Sequence, residues 1–137
     1  MKKFLLVFLA LALLATLCAC GKSDDVTFKN ELGVTIHSIY ISPVTEDQWP
    51  DPLNYARLNN GSQIHIDFEK FAAEGNTLYD VAAVDENNIN YDIFDVPLAV
   101  GDILALSANG ETAILTVTGT NGSTKTYEGY AYSGSEE

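Results

Sequence analysis

The chain has 137 residues, with 19 acidic against seven Lys or Arg, for a formal charge of −12. A surface so acidic repels nucleic-acid phosphates and anionic lipid headgroups, which excludes nucleic-acid binding. Both cysteines, Cys18 and Cys20, fall at the end of the first 20 residues. The rest of the chain can therefore hold no disulfide, cysteine-based zinc site or cysteine nucleophile.

Met1-Lys2-Lys3 gives a basic start, and Phe4 to Leu17 is an uncharged, mostly apolar run of 14 residues. A bilayer-spanning helix needs roughly 20 such residues, so residues 1–19 read as a signal peptide. Leu17-Cys18-Ala19-Cys20 resembles the lipobox of bacterial lipoproteins, with Cys18 a less usual second residue. The resemblance implies a diacylglycerol on Cys20, a new N-terminus there, and a lipid-anchored place on the extracytoplasmic side of a membrane of the cell envelope. Two acyl chains hold stably where one does not, at about 0.8 kcal/mol per buried CH₂. Gly21 in place of Asp carries no inner-membrane retention signal of the kind such lipoproteins use. Residues 20–25 then form the lipidated N-terminus and a short tether, at most ~3.5 Å per residue. Loss of Lys2 and Lys3 leaves five basic and 19 acidic residues, a formal charge of −14.

About 117 residues remain, enough for one domain with a core and too few for two. Val26 to Lys29 alternates and ends at Asn30-Glu31-Leu32-Gly33. Val34 to Ser42 is rich in β-branched and aromatic residues, but its alternation slips midway, as at a bulge. Pro43 stops it. Residues 44–60 make a long loop containing Trp49, and Asn60-Gly61 is a turn signal. Gln63 to Phe68 alternates cleanly, and Glu69 to Glu74 is helical in composition but only about a turn and a half long. Leu78 to Val84 and Ile89 to Val96 form a hairpin across Asp85-Glu86-Asn87-Asn88. Asp102 to Ser107 and Thr112 to Thr118 flank Asn109-Gly110, a strong hairpin signal, and Asn121-Gly122 repeats it before Thr124 to Tyr132. Ser133 to Glu137 is a polar tail. About eight short strands without a long amphipathic helix predict an all-β domain over residues 26–132. An antiparallel β-sandwich, immunoglobulin-like or similar, is expected, with a barrel as the alternative.

Phe28-Lys29-Asn30 with Gly33 and Ile36, Ile39-Tyr40-Ile41-Ser42-Pro43, Asp47-Gln48-Trp49, Leu58 with Gly61, Tyr79-Asp80, Val84-Asp85 and Tyr91 follow one another in order. The ordered set resembles a group of small exported bacterial proteins with Tyr-x-Ser-Pro, Asp-x-Trp and Tyr-Asp motifs and no assigned activity. It spans roughly residues 26–100 and implies a β-sandwich. Pro50 replaces the group's Gly after the Trp and fixes φ there. Thr77 and Ala99 stand where the group often has two cysteines, which implies that they are neighbours in space.

Candidate binding residues are Trp49, Asp47 and Asp51, in one Pro-rich acidic loop. An exposed Trp stacks on a sugar ring or anchors a partner, whereas a buried one would cap the core; the cap is the expectation here. Asp85, Glu86, Asp92 and Asp95 surround one hairpin and are the candidate Ca²⁺ ligands, although no Asp-x-Asp-x-Asp-Gly run is present. No other cofactor is expected. The tyrosines read mainly as cross-strand packing, but Tyr127, Tyr130 and Tyr132 place aromatics on both faces of the last strand. His37 and His65 lack a sequence partner for a triad, and the chain is expected not to be an enzyme. The reading is a monomeric, lipid-anchored, non-enzymatic binding or structural module of the envelope, its partner an envelope protein or glycan. The alternative is a calcium- or carbohydrate-binding domain using the Trp49 loop and the acidic hairpin.

Overall fold

The computed structural model describes residues 24–134. The leader, Cys20, the tether through Ser23 and tail residues 135–137 lie outside the described residues. Eight strands follow in order: β1 (Asp25–Asn30), β2 (Ile36–Pro43), β3 (Gln63–Asp67), β4 (Leu78–Asp85), β5 (Ile89–Pro97), β6 (Ile103–Asn109), β7 (Thr112–Thr118) and β8 (Thr124–Ser133). A single 3₁₀ turn, Phe68–Lys70, follows β3 and is capped by Asp67, whose side chain accepts the Glu69 N–H. Among the described residues no helix is long and apolar enough to cross a membrane.

The ladders join all eight strands into one curled, mixed sheet, ordered β2-β4-β5-β8-β7-β6-β1-β3. All pairings are antiparallel except β1 with β6. The all-β class and the strand count agree with the sequence reading. The separation into two hydrogen-bonded sheets does not, because β5 pairs with both β4 and β8 and leaves no break in the ladder. That junction is narrow: only Ile89–Asp92 of β5 faces Tyr130–Ser133 of β8 in the curled sheet.

Gly129 is what lets the strands meet at this junction. A Cβ at this position would lie 1.9 Å from the Asp92 carbonyl oxygen. The inner faces of both halves then share one core. Phe28, Leu104, Leu106 and Leu115 come from one half, and Ile39, Ile41, Val81 and Ile93 from the other, all fully buried.

Two sets of contacts beyond the ladders involve residues next to the end strands β2 and β3. In the first, Ile36 and Leu58 exchange backbone hydrogen bonds of 2.9 Å. Buried Asn30 donates through Nδ2 to Val34 O and Leu58 O and accepts the Leu32 N–H at Oδ1. In the second, Phe68, Phe71 and Tyr79 pack edge to face, with centroids 5.0 to 5.8 Å apart. The expected slip in the second strand is present as a register shift between Ile36 and Ser38. The Leu98 N–H donates to Thr77 O at 3.3 Å, which places Thr77 opposite the residue before Ala99.

Candidate functional site

Strand alternation points one side chain in two away from the core. On β2, β4, β5 and β8 those outward residues fall into two rows. Tyr40, Ala82, Asp92 and Tyr130 are successive cross-strand partners, and Val84, Asn90 and Tyr132 form the next row. Small or apolar Ala82 and Val84 sit between aromatic residues at either side.

The loop after β2 adds a wall. The Leu53 N–H donates to Ile39 O at 2.8 Å, and Asn54 serves as a substitute strand. Its Oδ1 accepts the Ile39 N–H, and its Nδ2 donates to His37 O and Ala56 O. This fixes the Pro50-Asp51-Pro52 segment beside the sheet and lays Trp49 over Tyr40, with centroids 6.2 Å apart and planes inclined by 54°. Trp49 remains 42 % exposed. The expectation that it caps the core is therefore corrected: with its loop pinned to the β2 edge, the indole stays on the outer face.

The result is an open cleft of about 450 Å³ with Tyr40, Trp49, Pro50 and Pro52 at one side, Tyr132 at the other, and Ala82 and Val84 between. Asp51, Asn90 and Asp92 also line it. Tyr132 donates its hydroxyl to Asp92 Oδ2 at 2.5 Å. Burial holds the Asp92 carboxyl above its ordinary range, against the lowering effect of that hydrogen bond. The same bond is the main cause that pushes the Tyr132 phenol up to about 12, with burial and the Asp92 charge adding to it. Tyr132 therefore stays protonated as a donor, and the Asp92–Tyr132 pair is a fixed rim of the cleft.

The sequence candidates divide. Trp49, Asp51 and Asp92 meet at the cleft. Asp47 lies on the other side of Trp49, in a smaller hollow of about 150 Å³ lined also by Glu46, Asp80 and Phe94. The four-residue calcium set is not brought together. Asp85 is buried and its carboxylate accepts from Asn87 N, Ile89 N and Tyr91 Oη, at 2.8, 3.0 and 2.7 Å, so it locks its own turn. Burial, reinforced by Asp85, keeps the Tyr91 phenol protonated. Glu86 pairs with Thr35, and Asp95 sits at a bulge with φ 58° and its N–H on Asp80 Oδ1. Among the described residues no three His, Cys, Asp or Glu side chains are grouped as a metal would require.

His37 and His65 bond to Ser38 Oγ and Thr27 Oγ1, and the hollow beside His37 has no carboxylate in its lining. The residues that sequence reasoning missed are Tyr40, Asn90 and Tyr132. The available signal was the last strand, where Tyr127 packs toward the core while Tyr130 and Tyr132 stay outside. Comparison of the chain with protein-family models, curated proteins and solved structures gives no match.

Proposed function

We propose that the chain is a lipid-anchored, non-enzymatic binding module of the bacterial cell envelope, with the outer-face cleft of β2, β4, β5 and β8 as its binding surface. The observation that carries this reading is the set of aromatic side chains left outside: Trp49, 42 % exposed, and Tyr132, 49 % exposed, line one cleft with Tyr40, and Tyr130, 66 % exposed, lines the adjoining hollow that shares Tyr132. Large aromatics held outside by a pinned loop and a rim hydrogen bond are the kind of anchors that binding surfaces use. The curl of the single sheet brings side chains of both halves into one core.

The placement suits an anchored module. The described chain starts beside Phe68 and Gly101, which donate N–H groups to Asp24 O and Asp25 O at 2.8 Å. Through Ile103, Thr118 and Thr124 that end leads to the start of β8. Tyr132 lies eight residues further along, about 26 Å at 3.3 Å per residue. A lipid on Cys20 with a short tether would hold the entry end at the membrane and the cleft away from it.

Two experiments test the two parts. Cys20→Ala should move the folded protein from the membrane to the soluble fraction; retention in the membrane would refute the anchor. A photo-crosslinking residue at position 132 in cells should give one discrete adduct, protein or glycan, and the same residue at position 65 should give none. Equal adducts at both positions, or none at 132, would refute the cleft as the binding surface.

A further inference from the structure

We propose that the cleft binds neutral pyranose rings of a glycan chain; this rests on the reading of the cleft as the binding surface. Three observations converge on that ligand class. The first is the pairing of aromatic faces with an apolar floor. Trp49, Tyr40 and Tyr132 bracket Ala82 and Val84. A pyranose offers a C–H face to an aromatic ring and hydroxyls at its edge, so it needs this mixture rather than a wholly apolar pocket.

The second is a set of uncommitted hydrogen-bonding groups at the same place. Among the described residues, the Asn90 amide, the Tyr40 hydroxyl and the Trp49 indole N–H have no hydrogen-bond partner. Asp92 uses Oδ2 for Tyr132 and keeps a second oxygen. Donors and acceptors are both present, as neighbouring hydroxyls of a sugar require.

The third is shape and charge. The cleft is open and shares Tyr132 with a broader hollow along Glu111, Thr112 and Glu128 to Ser133. Such a surface takes a stretch of chain better than one enclosed small molecule. The acidic balance of the chain rejects phosphorylated or uronate polymers. A cation is the weaker fit. Glu46 and Asp47 in the neighbouring hollow are exposed to water, and Asp80 is engaged by the Asp95 N–H.

Trp49, the sole tryptophan, reports on its own cleft. Full-length protein in detergent micelles is titrated with neutral tetrasaccharides of glucose, N-acetylglucosamine, mannose and galactose, and tryptophan emission is followed. At least one should give a saturable change, altered less than about twofold when salt is raised to 1 M, where the Debye length is about 3 Å. Tyr132→Ala and Tyr40→Ala should each weaken it at least tenfold. His65→Ala should leave it unchanged, and Asp92→Asn, which preserves the shape of the rim, should weaken it less than Tyr132→Ala. Absence of saturation with all four sugars, binding that survives both tyrosine variants, or binding abolished by salt would overturn the proposal. A discrete protein adduct at position 132 together with silent sugars would defeat this proposal alone and leave the binding-surface reading standing. Silent sugars with no adduct would defeat both.

Discussion

The two halves of the sheet are built differently. β6 and β7 pair seven residues without a shift, and β7 alternates buried and half-buried positions throughout. β4 shifts register against both its neighbours, near Ile36/Ser38 and near Tyr79/Val81. The same half carries the two non-glycine residues with positive φ, Asn88 and Asp95 among the described residues, and the Trp49 loop. The regular half spends its pattern on the core. The irregular half still contributes Ile39, Ile41, Val81 and Ile93 to that core, but its bulges re-aim side chains and its loop covers an edge, leaving a cleft outside. Departures from regular pairing are where a fold accommodates a site.

The two halves should respond most differently to truncation of one residue in each. Leu115→Ala removes a fully buried side chain and should cost about 2–5 kcal/mol in urea denaturation. Trp49→Ala, on the outer face, should cost less than about 1 kcal/mol, in the range of surface changes. Equal losses would make Trp49 a core residue and erase the distinction between the halves.

Gly129→Ala probes the junction where the halves join. Its new Cβ would meet backbone rather than a flexible side chain, so the loss should reach about 3 kcal/mol, the top of the overpacking range. Amide exchange should then quicken at Tyr91 and Asp92, while β6 and β7 stay protected. Uniform loosening would show that the junction is not a separate joint.

A smaller effect follows from the buried carboxyls. Burial raises both Asp92 and Asp102 above their ordinary range. The native chain therefore binds more protons than the unfolded chain between the ordinary Asp pKa, about 3.9, and the raised values. Stability falls as pH rises through that window. These groups thus make Tm rise as pH drops through the raised values toward the ordinary Asp pKa of about 3.9. Asp92→Asn, which can still accept the Tyr132 hydroxyl, should remove part of the rise, and an undiminished rise would mean that Asp92 is not desolvated at the rim.

Much of the fold was legible because its signals are local. Asn109-Gly110 and Asn121-Gly122 sit at turns between strands that alternate, and both glycines adopt positive φ. The slip in β2 was visible in the spacing of Ile36, Ile39 and Ile41. The single curled sheet was not, because the parallel β1–β6 pairing and the short β5–β8 junction join residues far apart in sequence. The cleft was half legible. Trp49, Asp51 and Asp92 stand out as residue types, whereas Tyr40, Asn90 and Tyr132 acquire meaning only when three strands align them. The four acids of the candidate calcium set diverge for the opposite reason. Asp85 and Asp92 are close in sequence, but one turns inward to lock a turn and the other outward to the rim.

The most direct test of the cleft as the binding surface is to map amide chemical shifts of the protein on addition of solubilised envelope fragments. Saturable shifts are expected at Tyr40, Trp49, Ala82, Asn90, Asp92 and Tyr132, with β6 and β7 silent. Shifts centred on β1, β3 and β6 instead, with the cleft unmoved, would contradict the cleft as the binding surface.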